Sequence, residues 1–134
     1  MALCIVGGGK VIFESASRGI SGFLDAMQIF GDRLEGASVA DRVVGKAVAL
    51  LCVDSRVGAV YASTLSRDAK RLFDDCQVRV EWGELAESIL DTGRRDTCPF
   101  ERLASGIVDP KDAYIRLRAL QCSLRRGQGK RFGR

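Results

Sequence analysis

The chain has 134 residues, enough for one domain with a buried core. Hydrophobic side chains make up 46% and charged ones 28% of it, too apolar a mixture for disorder. It contains no histidine, which removes the commonest general base, the commonest metal ligand and the middle member of nucleophilic triads.

Leu3-Cys4-Ile5-Val6 and Val11-Ile12-Phe13 read as two short strands joined by Gly7-Gly8-Gly9-Lys10. The glycines supply the positive φ angles of a tight hairpin. A phosphate loop does not fit, because no Ser or Thr follows Lys10 and a strand, not a helix, comes next. No basic stretch precedes the apolar start, so a secretion signal is not expected and a cytoplasmic protein is. Phe23, Leu24, Met27 and Phe30 recur at helical spacing behind Ser21, and Gly31 ends that helix. Ser38-Val39-Ala40-Asp41 has the pattern of a capping box. It predicts a helix running to about Asp54, apolar nearly all round from Val43 and therefore buried.

Val57 to Thr64 reads as a strand, and Ser66 caps a helix with Ala69, Leu72, Phe73 and Cys76 on its inner stripe. Val78, Val80 and Trp82 alternate with Arg79 and Glu81 as a second strand, so the two form a parallel crossover. Glu84 to Leu90 suits a short helix. Pro99 and Pro110 each sit where a first helical turn accepts proline. Ala113, Leu117, Leu120 and Leu124 give the last helix its packing stripe. The expected fold is α/β, a three-layer α/β/α sandwich whose mixed sheet combines the N-terminal hairpin with parallel strands.

Net charge is +4, but Arg125, Arg126, Lys130, Arg131 and Arg134 crowd the last ten residues. The basic excess therefore belongs to a tail, with a single domain over 1–126 and a basic, disordered tail expected over 127–134. RNA or an anionic surface is expected to be met only through that tail, if at all. Cys4, Cys52, Cys76, Cys98 and Cys122 are odd in number and widely spaced, so neither a disulfide framework nor a metal site is expected. No cofactor is expected, and no apolar run approaches the roughly 18 residues that cross a bilayer.

Four segments resemble a small prokaryotic family of unknown function grouped with the cytidine-deaminase-like fold. They are Gly9-Lys10-Val11-Ile12-Phe13-Glu14-Ser15, Arg18-Gly19-Ile20-Ser21, the run from Gly36 to Ala47, and Cys98-Pro99-Phe100-Glu101. The resemblance covers about residues 3 to 122. It implies a three-layer α/β/α domain in which two helix N-termini converge on one site. In the wider fold these carry His-x-Glu and Pro-Cys-x-x-Cys around a zinc-bound water. The corresponding places here offer Ala40, Asp41 and Arg42, then Leu65, Ser66, Arg67 and Asp68, which hold no zinc ligand set. Zinc-dependent deamination is therefore not implied; a pocket is. The resemblance also implies self-association.

Two helix tips aimed at one cavity present free amides and partial positive charge, a place for an anion. Ser38 and Ser66 either donate hydroxyls to a ligand there or simply cap. Lys46, alone in an uncharged run, requires a partner: a ligand phosphate or carboxylate, or a structural acid such as Glu101 or Asp41. Cys98 stands at a helix start near Arg94 and Arg95, where a thiolate is favoured, although no histidine activates it. Arg18 follows the second strand, and Thr64 ends the strand before Ser66.

Three functions follow from this reading. The first is a binding domain for a small nucleotide-like or other anionic ligand, lined by Arg18, Ser38, Asp41, Lys46, Thr64, Ser66 and Glu101. The second is a metal-independent enzyme using Cys98 or Lys46. The third is an interaction module for protein or RNA.

Overall fold

β1 (Leu3–Gly7) and β2 (Lys10–Ser15) form the expected antiparallel hairpin, with Gly7 paired to Lys10. Gly8 and Gly9 take φ of 60° and 79°, the left-handed pair that a two-residue turn needs. The computed structural model describes residues 3–16, 20–87 and 99–132, with side chains as far as residue 126.

α1 (Ser21–Phe30) buries Phe23 and Leu24 completely and rests Met27 and Phe30 against the core, as its spacing predicts. The Phe30 ring meets Phe13 edge-on at 5.9 Å.

The predicted helix from Ser38 divides in two. β3 (Ser38–Val44) is a strand, and only α2 (Lys46–Asp54) is helical. Exposed Ser38, Ala40 and Arg42 alternate with buried Val39 and Asp41, a period of two. The valines add β propensity, and two neighbouring strands satisfy the backbone, so tertiary pairing overrides the local capping pattern. Ser38 therefore caps nothing. Lys46 is the first residue of its helix, not an interior one.

α2 meets α1 and three later helices, α3 (Arg67–Asp75), α4 (Pro99–Ala104) and α5 (Pro110–Phe132). This explains why every residue from Ala47 to Cys52 is buried. Leu50 and Leu51, fully enclosed, each stabilise the fold by about 2 kcal/mol or more.

β4 (Ala59–Ser66) and β5 (Arg79–Ala86) complete a sheet of order β2-β1-β3-β4-β5. β1 is antiparallel to both neighbours, whereas β3, β4 and β5 are parallel. The mixed sheet with helices packed against it is the α/β arrangement that was expected. Ile5, Val39, Val60 and Val80 lie in register and point into the core. The neighbouring row, Cys4, Ala40, Tyr61 and Glu81, points away, and Tyr61 is 47% exposed.

Three further expectations change. Glu84 to Ala86 continue β5 instead of opening a helix, because β4 runs on beside them, with Thr64 paired to Glu84 and Ser66 to Ala86. Glu87 follows as a bend, and residues 88–90 of that predicted helix lie outside the described residues. Cys76 is the exposed C-cap of α3, not part of its buried stripe. On α5 the buried series is Ala113, Leu117 and Gln121, while Leu124 is 43% exposed. Gln121 can be buried because its amide donates to Ser21 O and Asp25 Oδ1, both at 3.3 Å, and accepts from Arg118. α5 also continues beyond residue 126 to Phe132, into the segment read as a tail.

Candidate functional site

β3 and β4 are neighbours, paired up to their C-terminal ends through Val44 and Leu65. The helices that follow them, α2 and α3, therefore start side by side at the C-terminal rim of the parallel strands. Two helix tips thus lie side by side, but the first is at Gly45 and Lys46 and not at Ala40, Asp41 and Arg42, where it was expected.

No nearby side chain caps α2. Its N-cap is Gly45, which makes no side-chain hydrogen bond. Glu101, in the first turn of α4, takes that role from 55 positions away. Its Oε1 accepts from Lys46 N and its Oε2 from Ala47 N, each at 2.9 Å. A carboxylate that accepts two amides at a helix start meets both the unpaired donors and the positive end of the dipole.

Gly45 makes this approach feasible. A Cβ there would stand 2.5 Å from the Glu101 carboxyl carbon, a distance no side chain tolerates. Burial pushes the Glu101 carboxyl up from its ordinary value, and the nearby charge of Asp68 adds to that. The two amides and the Lys46 charge pull it down.

The Lys46 ammonium itself reaches Ser105 O, at 3.4 Å. Lys46 and Glu101 are thus joined through the backbone amide, and not through the ion pair of side chains that was one of the expected alternatives. Ser66, 2% exposed, accepts from Ala69 N at 3.1 Å and caps α3 as predicted. Thr64 is half-buried just behind it on β4.

Other expected members stand elsewhere. Ser38 is the first residue of β3, about 20 Å down the strand from the tip of α2. Asp41 is buried in mid-strand, where its Oδ1 accepts from Arg42 N at 2.8 Å. Desolvation raises its carboxyl to about 7, and the Arg42 and Val43 amides only partly offset this. Asp41 is close enough to buried Cys52 to add to the effect of burial in raising that thiol. Arg18 and Cys98 lie outside the described residues, and so does any geometry for a Cys98 nucleophile.

The rim thus brings together Lys46, Glu101, Ser66 and Thr64. It adds Gly45 and Ser105, which the sequence reading missed, and Asp68, which it had named at the second helix tip without giving it a role. Among the described residues no group of three or more cysteine, aspartate or glutamate side chains is placed to hold a metal ion, and no helix is long and apolar enough to cross a membrane.

A family model described as TM1506, domain of unknown function (DUF1893), matches residues 1–120. The crystal structure of a DUF1893 family protein from Thermotoga maritima is 27% identical to this chain. It superposes with a TM-score of 0.81, covering 88% of this chain and 79% of that one. A diaminohydroxyphosphoribosylaminopyrimidine deaminase/5-amino-6-(5-phosphoribosylamino)uracil reductase from Thermotoga maritima is 16% identical, with a TM-score of 0.48, over 61% of this chain and 29% of that one. No curated protein matches.

Proposed function

The chain belongs to the DUF1893 family, a domain of unknown function, and from that premise we propose that it is a binding domain for a small ligand carrying a carboxylate or phosphate. The ligand group docks on the Lys46 and Ala47 amides at the start of α2, and Glu101 holds the place when no ligand is present. One observation carries this reading: a carboxylate from a distant helix is seated with both oxygens on those amides. The seat has the chemistry of an anion site. Its present occupant is a desolvated acid whose raised pKa marks the cost of keeping it ionised there. Lys46, whose ammonium among the described residues lies 3.4 Å from the Ser105 carbonyl, supplies the positive charge that an incoming anion needs.

Exchange of one carboxylate for another anion predicts competition. Glu101→Ala orphans two amides and destabilises the fold by about 2–3 kcal/mol. Phosphate or a nucleoside monophosphate then fills the vacancy. An anion at about ten times its Kd returns about 1.4 kcal/mol, read as a rise in Tm. The same anion raises the Tm of the unaltered protein less, because Glu101 must first leave. Equal, salt-like responses of the two proteins to phosphate and chloride contradict the proposal. Lys46→Met lowers the anion response in the Glu101→Ala background.

A further inference from the structure

The far end of α2 carries a second feature, separate from the Lys46 seat. A cavity of about 510 Å³ lies there, between the last turns of α1 and α2 and the first two turns of α5. That size falls in the range of about 300–1,000 Å³ typical of small-molecule sites. It is about 13 Å along the helix from the amides that Glu101 occupies.

Five charged side chains line it. Asp32 and Glu35 come from the turn after α1, Asp54 ends α2, Arg56 follows in the loop to β4, and Lys111 opens α5. Asp54 is half-buried and the other four are exposed. Half-buried Met27 and Tyr114 add an apolar wall that rests on the core. Burial raises the Asp54 carboxyl, while Lys111 and Arg56 lower it through space and Asp109 raises it. Yet among the described residues none of the five closes a salt bridge. Elsewhere such charges are in contact: Arg67 with Glu87, Lys70 with Asp74, and Arg125 with Asp25. The charges of the cavity are left open to a guest.

Their arrangement selects the guest. Acids outnumber bases, and neither α1 nor α2 has a basic residue in its last turn to answer the negative end of its dipole. An ammonium is therefore favoured. Arg56 and Lys111 in turn call for a carboxylate. A guest of one sign leaves the other set unanswered, whereas a zwitterion answers both. We propose that this cavity binds an amino acid or a short peptide, its free ammonium on Asp32, Glu35 and Asp54 and its carboxylate on Arg56 and Lys111, with an apolar side chain against Met27 and Tyr114.

The probes are L-leucine and L-leucyl-L-leucine, read by Tm and by titration calorimetry. One of them, at about ten times its Kd, raises the Tm by about 5 °C. Tighter binding of leucine supports a free amino acid, and tighter binding of the dipeptide supports a peptide. Isoamylamine lacks the carboxylate of leucine and 4-methylpentanoate lacks its ammonium; each binds at least about tenfold more weakly. Arg56 takes a φ of 60°, which glycine holds without strain. Arg56→Gly therefore keeps or raises the Tm of the free protein while weakening the probe about tenfold. Asp54→Asn weakens it likewise, and Lys46→Met, at the other end of α2, leaves it unchanged. No response to either probe at about 10 mM overturns the proposal. So does an amine or acid that binds as well as leucine, an Arg56→Gly protein that binds as well as the wild type, or a response that disappears with Lys46.

Discussion

Asp41→Asn should stabilise this protein, and by an amount that depends on pH. Asp41 is buried against the inner face of the sheet, and its folded-state carboxyl is raised from the ordinary 3.8 to about 7. The folded chain thus binds that proton more tightly than the unfolded chain. The stability this contributes is fully present below about 3.8 and is lost as pH rises through about 7. The displacement, about three units, corresponds to roughly 4 kcal/mol across the whole window. Between pH 5 and pH 8 the loss is about 2.5 kcal/mol. Asparagine cannot ionise, yet it keeps an oxygen to accept from Arg42 N. Denaturant titrations of both proteins at pH 5 and pH 8 isolate the effect, since Glu101 titrates in each and cancels in the difference. The advantage of Asp41→Asn over the wild type should grow by about 2.5 kcal/mol between pH 5 and pH 8. Parallel pH profiles for the two proteins would refute the assignment of a raised, buried carboxyl to Asp41.

Gly45→Ala places a methyl group where the Glu101 carboxylate sits and should cost about 2–4 kcal/mol, measured by thermal or chemical unfolding. Combined with Glu101→Ala it should cost far less than the sum, because one variant already removes what the other disturbs. Ser66→Ala removes the α3 cap and should cost about 1 kcal/mol. Gln121→Leu leaves Arg118 and Asp25 short of a partner at the α1–α5 contact, and stability should fall by about 1–3 kcal/mol despite the apolar replacement. Among the described cysteines, mass-resolved alkylation should modify exposed Cys76 first and Cys52 only on unfolding.

What the sequence revealed and what it hid have a common physical origin. The hairpin, the α1 stripe, the buried character of α2 and the Ser66 cap are local patterns, written within a few residues of where they act. β3 was hidden because Ser38-Val39-Ala40-Asp41 satisfies a helix-start pattern and a two-residue alternation equally well. Only the strands on either side decide between them. The end of β5 was hidden for the same reason. At the rim, Lys46, Glu101 and Ser66 were legible as residue types in a suggestive order. The bond that organises them runs from Glu101 to amides in another helix, and no spacing rule reaches that far. The burial of Gln121 left no local mark, because it depends on Ser21 and Asp25, about a hundred positions earlier.

The seat at the start of α2 can be watched directly through the Lys46 and Ala47 amide resonances in a ¹⁵N-labelled Glu101→Ala protein titrated with phosphate. Saturable shifts of those two amides, larger than in the unaltered chain, are the expected result. Amides that stay still in the variant while phosphate perturbs other parts of the molecule would show that the helix tip is only a structural joint.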